Sequence, residues 1–464
     1  MSAAGAEWSF ATDVVVVGGS GCGLVAALAA AQAGAEVLVL EKQVRPWGNT
    51  ARSGGMIPAA GTRFQRAAGI VETADDFAAD IFAKNGHTSD PALTRRLARI
   101  APELVEWLVD EAGVALTFVG DFKYPGHRQF RMHVPPSRTG GALVADLRRA
   151  VEARPHIDFV TDAPVTALVA DAAGGVTGVV AQRGQTVERV RARKVILACN
   201  GFAGNPELVA RYCPDIADAL YFGGEGNTGE GILWGLELGA ALAFMDAYQA
   251  HANVAVPHNV LITYAVIMEG GFQVNVNGRR FGDETHGYSE HALAVLAQPG
   301  RVAWSVYDER IHQLALQFED YREAQAAGAI LSAATWAELA GQMRVDAAAL
   351  AETLAAYEAA AAGQPDPFGR TDCVHLRPPF YGVKVTGALF HTQGGLQVDL
   401  DGRVLRADGS AIPNLYAGGG VAAGLSGHGP GGYLSGNGLL TALGLGWLAG
   451  RHAAEALQRE KVSV

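Results

Sequence analysis

The sequence predicts an α/β protein, a parallel-sheet domain interrupted by an inserted α+β segment. Three observations carry that expectation. Residues 14–42, VVVVGGSGCGLVAALAAAQAGAEVLVLEK, run as apolar strand, glycine turn, small-residue helix, second strand and acidic end. Glycine turns thin out between about 240 and 378, where strand-like FQVNVNGRRF and RVAWSVYDE precede alanine-rich helical sequence at 335–362. They return near the C-terminus, ahead of a final helix over roughly Leu439–Leu457. Residues 1–239 and 379–464 are therefore expected to form one discontinuous domain, with 240–378 inserted as a cap.

In chain order, Asp13–Val17 is a β-branched run of the kind buried on both faces of a parallel sheet. A helix over Gly21–Ala33 stops at Gly34, and a second strand covers Glu36–Leu40. Residues 75–113 read as helical, opening on a threonine cap and closing on Gly113, and 140–151 as another helix. HIDFVTDAPVTALVAD, GGVTGVVAQRG and VERVRARKVILACNG read as strands with a hairpin at Gly174-Gly175. They are expected to make a small β-layer over 157–192, opposite the helices of the main sheet. Leu350, Leu354 and Tyr357 have the spacing of a packed helix.

At 464 residues the chain exceeds one compact core, so two or three domains are expected. A formal charge of −11 argues against nucleic acid or an anionic membrane as partner. Apolar runs break before 18 residues, so no membrane span is expected. Met1–Ala11 lacks a basic start followed by an apolar run, so no secretory leader is expected. Cys22, Cys199, Cys213 and Cys373 have no paired spacing, which implies neither a disulfide framework nor a metal site and suits the cytoplasm.

The turn at 18–23 carries the first chemistry. In a Rossmann-like dinucleotide site the first glycine makes the turn, the second admits the pyrophosphate and the third lets helix pack on strand. Gly18 and Gly23 hold the outer places and Ser20 the middle one. The helix opening at Gly21 and Cys22 aims free amides and its positive dipole end at the phosphates. Glu41, with Lys42 beside it, ends the second strand where a carboxylate accepts both ribose hydroxyls, favouring an unphosphorylated adenosine ribose over NADP.

Three further stretches, GNTARSGGM (48–56), VILACNGFAGN (195–205) and AIPNLYAGGGVAAGLSGHGPGGYLSGNGLLTALGLG (411–446), extend the pattern. Together they resemble the flavoprotein family of soluble fumarate reductases, tricarballylate dehydrogenases and 3-ketosteroid dehydrogenases. The resemblance spans nearly the whole chain and is weakest at 290–375. It implies extended FAD, with Asn49, Thr50, Ser53, Gly54 and Gly55 along the pyrophosphate and flavin. Val165, Cys199, Asn200, Gly201, Gly419, Gly420, Ser435, Gly436, Asn437 and Leu439 are further implied contacts, and the closing helix aims its N-terminus at the flavin. Members with covalent flavin carry a histidine in the segment matching Asn49–Gly54; none stands here, so non-covalent FAD is expected. Gly420 replaces the glutamate of the commoner YAAGE pattern.

HTQGGLQVD (391–399) resembles the family stretch whose histidine, here His391, contacts a substrate oxygen. GRRFGDETHGYSEH (278–291) resembles the cap segment with the proton donor, an arginine in fumarate reductases and Tyr288 here. A second arginine of the closing segment is absent too; GGYLSG stands there, similar to 4-ene-forming ketosteroid dehydrogenases. Without those arginines a desolvated dicarboxylate lacks its partners. The implied reaction is desaturation beside the carbonyl of a cyclic or steroid-like ketone. Tyr288 or Tyr433 removes the α proton, helped by Ser435, His391 or the closing helix amides, and hydride leaves from the β carbon to the flavin. A small-molecule ketone or carboxylate and an unidentified electron acceptor are the partners. Three alternatives stay open. One is a tricarballylate- or fumarate-type carboxylate enzyme with Arg131 or Arg138 as the cation. The others are a reductase running in the opposite direction and a non-catalytic electron-transfer flavoprotein. YPGHRQFRMH, carrying Tyr124, His127, Arg131 and His133, is expected at the surface, with a polar-aromatic loop facing the substrate as the alternative; His251, His258 and His428 are unassigned or weak candidates.

Overall fold

The computed structural model describes residues 7–46 and 48–462. Residues 1–6, the front of the stretch in which no leader is expected, lie outside the described residues, as do 47 and 463–464.

The main sheet runs in the order Arg403–Leu405, Ala411–Ala417, Thr186–Leu197, Phe10–Val17, Val37–Leu40, Ile157–Val160. The first of these five pairings is antiparallel and the other four are parallel, with Val14 opposite both Val37 and Lys194. Val14–Val17 are buried, which explains their unbroken apolar run. The first strand begins at Phe10 rather than Asp13, because Phe10, Ala11 and Thr12 continue the ladder to Val190, Arg191 and Ala192. Ile157–Val160, expected in the small β-layer, instead extends the parallel sheet beside Val37–Leu40. The hairpin Val165–Ala170/Val176–Arg183 joins the sheet through Thr186–Leu197. That long strand pairs antiparallel with the hairpin in its first half and parallel with Phe10–Val17 in its second.

The first helix, Gly21–Gln32, is buried along almost its whole length, so its small residues serve close packing rather than an amphipathic surface. Residues 75–113 divide into Ala74–Asn85 and Pro91–Asp110. Gly86, left-handed at φ 63°, ends the first, and Asp90 with Pro91 starts the second.

A second sheet of seven strands is built around Phe380–Thr392. This strand pairs antiparallel with Tyr248–Ala255, Ala303–Asp308 and Ile330–Ala333, and parallel with Leu220–Tyr221. Its strands thus extend past the 240–378 segment on both sides. Helix Tyr288–Leu296 lies against this sheet, where a Cβ at Gly387 would stand 2.5 Å from the Ala292 carbonyl oxygen.

The closing helix, Asn437–Val462, returns to the first helix. A Cβ at Gly446 would stand 2.4 Å from the Cys22 carbonyl oxygen, and one at Gly450 2.3 Å from that of Ala26. The two backbones therefore touch, and Leu443 and Gly446 of the closing helix sit beside Gly21 and Cys22, with its first residue, Asn437, more than two turns from Gly446 along the axis. Among the described residues no helix is long and apolar enough to cross a membrane.

Gly450→Ala and Gly341→Ala are expected to act in opposite directions. Both are helical, but Gly341 has nothing within 4 Å of an added Cβ. Alanine there is expected to stabilise by about 0.5–1 kcal/mol through backbone entropy. At Gly450 the backbone clash outweighs that gain, for a net loss of about 1–3 kcal/mol. Thermal unfolding midpoints check this; a rise for Gly450→Ala would refute the backbone contact.

Candidate functional site

Two cavities share Ser20, Ala198 and Asn200 as a common wall, so a long ligand can run from one into the other. The smaller is lined by Gly18, Glu41, Lys42, Val165 and Cys199, with Gly226, Asn227, Glu230 and Trp234 from beyond the second strand. Glu41 is buried, accepting the Gly19 N–H at 2.7 Å and the Gln43 N–H at 2.8 Å. Lys42 donates to Glu230 at 2.8 Å and to Thr228 at 3.1 Å. Glu230, which sequence reasoning missed, has its other carboxylate oxygen buried without a partner.

Gly18 takes φ 110°, and a Cβ there would stand 2.5 Å from the Ala198 carbonyl oxygen; one at Gly23 would meet the Gly18 carbonyl oxygen at 1.9 Å. Both outer glycines are required by packing. Ser20 sits in extended backbone, φ −100° and ψ −168°, which any residue adopts, so the middle position needs no glycine here. Its hydroxyl makes no helix cap, faces both cavities and is buried without a partner. That orphan fits a group bringing its own acceptor oxygens, as the diphosphate of FAD does. Gly21, Gly55 and Gly201 pack against Thr50, Thr139 and Thr392 instead of lining a cavity.

Cys22, Asn49, Thr50, Ser53, Gly54, Gly419, Gly420, Gly436 and Leu439 line the larger cavity. The Asn49 carbonyl accepts from the Gly224 N–H and the Asn227 amide, tying this turn to the 224–227 loop. A Cβ at Gly420 would stand 2.2 Å from Asn200 Oδ1, so the Asn200 side chain occupies the space a glutamate there would need. Asn437, at the first turn of the closing helix, has both side-chain polar atoms buried without partners, and Thr441 has its hydroxyl likewise.

Above these residues Tyr288, Tyr433, His391 and Ser435 converge. The Tyr288 hydroxyl donates to Ser435 Oγ at 2.9 Å, and the Tyr288 and Tyr433 rings are 6.1 Å apart. Tyr433 and His391 rings lie 5.8 Å apart, against the closing helix at Gly438. Burial pushes the Tyr433 phenol up to about 12, while the Gly438 and Gly436 N–H groups and the Tyr288 hydroxyl act in the opposite direction. Burial drives Tyr288 well above its ordinary value. The Gln393 amide donates to His391 Nδ1 at 2.8 Å while its carbonyl accepts from Ser426 at 3.0 Å. His391 Nδ1 also faces the Thr392 carbonyl at 3.3 Å, and burial lowers the ring's pKa to about 4.

Tyr124, of the loop whose alternative reading faced the substrate, lines the same cavity, as do His251, Gln249, Phe222 and Phe390, which were not singled out as site residues. His251 is stacked against Tyr288 at 4.6 Å and Phe390 at 5.2 Å, and its Nδ1 accepts the Asn253 N–H at 3.2 Å. Desolvation lowers it to about 3. Its signal in sequence was only a histidine in a strand-like run.

The 124–133 loop is not the surface segment expected. Arg131 is wholly buried, held by Glu72 and by Asp80 at 2.6 Å. Its Nη1 donates to His127 Nδ1 at 3.0 Å, and His127 Nε2 meets the Ser435 carbonyl at 3.0 Å. Arg131 is therefore unavailable to a substrate carboxylate. Arg138 pairs with Asp121 at 2.6 Å and does not line the cavity. His258 is exposed, and His428 is exposed and paired with Asp246. Arg52, exposed at the mouth, is the one cation among the described lining residues.

The family model described as FAD binding domain matches residues 13–439. An NADH:fumarate oxidoreductase of Klebsiella pneumoniae is 33% identical over 453 residues, covering 96% of this chain and 48% of that protein. The chain thus spans about half the length of that relative. The open conformation of a flavocytochrome c3 fumarate reductase superposes with TM-score 0.81 at 30% identity, over 97% of this chain and 79% of the other. A 3-ketosteroid-delta4-(5alpha)-dehydrogenase from Rhodococcus jostii RHA1, in complex with 4-androstene-3,17-dione, gives TM-score 0.75 at 27% identity over 97% and 98% of the two chains.

Ser20→Ala is expected to weaken FAD binding about 10-fold, the worth of a charge-assisted hydrogen bond at its lower end. Flavin fluorescence titration of the apoprotein measures it, and equal affinity would place the hydroxyl off the diphosphate. A second expectation concerns acid. Burial lowers His127 and His251 to about 3, and His133 and His391 to about 4. The unfolded chain binds these protons near pH ~6.5, so it holds more protons than the fold and stability rises with pH between about 4 and 6.5. Each imidazole contributes a slope of about 1.4 kcal/mol per pH unit, lost as pH falls. Urea midpoints at pH 7 and 5 test this; equal midpoints would mean that the rings reach water.

Proposed function

We propose that the chain, which belongs to the FAD-binding-domain family of flavoenzymes, is an oxidoreductase that introduces a C=C bond beside the carbonyl of a cyclic ketone. The observation that carries this reading is the Tyr433, Tyr288 and Ser435 cluster in a cavity walled by neutral aromatic groups. Bound FAD would supply the two-electron acceptor chemistry, along the residues from Glu41 to Gly436 described above.

The residues divide the remaining work. Tyr433, backed by two helix-end N–H groups, is the better donor to a carbonyl oxygen on which charge accumulates, because those groups favour its ionised form. His391, neutral, stands beside it. Tyr288 lies across the cavity with its hydroxyl already directed at Ser435 Oγ. It can take an α proton from substrate only while its own moves to Ser435 Oγ and the Ser435 hydroxyl releases its proton in turn toward the cavity mouth, since a free phenolate there is strongly disfavoured by burial. His251 and Phe390 hold the Tyr288 ring in place by stacking. The apolar wall from Phe222 to Tyr124 excludes water from that proton transfer.

A fumarate-type reductase is the second reading, favoured by the fumarate-reducing relatives and by Arg52 at the cavity mouth. Two anaerobic experiments separate the readings. Bleaching of the yellow protein by a cyclic ketone supports the first. Reoxidation of dithionite-reduced protein by fumarate, without bleaching by ketone, supports the second. Inertness to both favours a non-catalytic flavoprotein. Tyr433→Phe is expected to lower ketone turnover at least ~100-fold at unchanged FAD content; unchanged turnover would remove the hydroxyl from the reaction.

A further inference from the structure

One peptide unit connects the two tyrosines. The carbonyl of Ser435 and the N–H of Gly436 belong to the same planar group and point to opposite sides of it. The carbonyl side meets His127 Nε2 at 3.0 Å; the N–H side belongs to the turn that opens the closing helix, where the Tyr433 hydroxyl lies 3.3 Å from a Cβ placed on Gly438, and the Gly436 N–H favours the ionised form of that phenol. Ser435 carries, on the same residue, the Oγ that accepts from Tyr288. Gly436 stands at φ 84°, where only glycine rests without strain, and glycine also accepts the opposite sign. This plane is therefore one the backbone alone would allow to turn over.

What sets the direction of the His127 contact lies deeper. The Arg131 guanidinium has donors only, so His127 Nδ1 must accept and Nε2 must carry the proton toward Ser435. Arg131 is fixed in turn by Glu72 and Asp80, and Glu72 also takes the Gln65 amide at 2.8 Å. Arg128 engages the other Asp80 oxygen, so the two carboxylates face two guanidinium groups. A buried, charge-compensated group of this kind has little freedom to move.

We propose that His127, its tautomer set by Arg131, is a positioning residue that holds the 435–436 peptide in the one orientation serving both Tyr288 and Tyr433. The proposal rests on the roles given to those tyrosines above. Its structural half, the locked peptide, stands apart from any substrate.

The experiment compares FAD-loaded wild type, His127→Phe and His127→Gln. In wild type, 15N NMR of labelled histidine is expected to show His127 with Nδ1 bare and Nε2 protonated from pH 6 to 9. Hydrogen exchange at the Gly436 amide is expected to be slow in wild type, fast in His127→Phe and slow again in His127→Gln, whose amide replaces the lost donor. A protonated Nδ1, or equal exchange in all three proteins, overturns the proposal even if no substrate is ever found. With a ketone that turns over, His127→Phe is expected to lower kcat about 10- to 100-fold, the size of a displaced catalytic donor, with KM within about two-fold. His127→Gln is expected to recover most of it. Wild-type kcat in His127→Phe, or equal losses in both variants, would also overturn it. If neither ketone nor fumarate reacts with wild type, the proposed function fails while the NMR and exchange results still decide the peptide lock.

Discussion

Backbone contact between the first helix and the closing helix places everything else in the site. Gly446 against Cys22 and Gly450 against Ala26 let two helices from opposite ends of the chain approach without side chains between them. Leu443 and Gly446 are thereby held beside Gly21 and Cys22, which fixes where the start of the closing helix, more than two turns from Gly446, stands. A methyl group at Gly446 or Gly450 would push the helices apart, and the displacement would be felt along the axis at Gly436 and Gly438. Tyr433, Ser435 and His391 depend on those residues for their geometry. A positioning error near 1 Å at reacting groups costs roughly 100-fold in rate, so the remote glycines bear on chemistry as well as stability.

What was legible in the sequence was local. The strand, turn, helix and second strand at 10–40 are encoded by neighbouring residues, and their order sufficed to place Gly18, Ser20 and Glu41. Tyr288, Tyr433, His391 and Ser435 were found through motif resemblance, and the structure brings all four to one cavity. Non-local pairings were not legible. Phe380–Thr392 reads simply as a strand, but its position at the centre of the second sheet depends on partners from 220 to 333. Ile157–Val160 was misassigned because a four-residue run says nothing about which sheet edge it meets. Arg131 failed differently: a loop rich in charge reads as solvated unless its partners are known, and Glu72 and Asp80 lie more than 50 residues away.

Two ways of handling buried polarity stand side by side. Near Arg131 the charges are opposed at close range, which is how ionised groups survive burial whose cost is several kcal/mol per ion. The larger cavity has no such pairing among its buried lining residues. Its histidines are neutral because desolvation lowers them to about 3 or 4 and no facing carboxylate compensates. Its tyrosines remain protonated for the same reason. Hydrogen-bond donors without net charge suit an uncharged oxygen, and a carboxylate brought among them would exchange full hydration for partial compensation.

This difference also bears on how much of a substrate the site can recognise. A cavity that hydrogen-bonds a specific oxygen rejects a ligand lacking it by roughly 10⁴- to 10⁵-fold, because the buried donors are left unpaired. Apolar walls discriminate weakly, about 10- to 200-fold for one methylene. Under the proposed function, Phe222, Phe390 and Leu261 would constrain the body of the ligand far less than Tyr433 would constrain its carbonyl. Selection is expected to fall on where the oxygen sits relative to the carbon that loses hydride, with several ring systems accepted behind it. The same logic bears on substrate class in general: the scaffold fixes where a donor stands, and the donor's charge decides which oxygen it can hold.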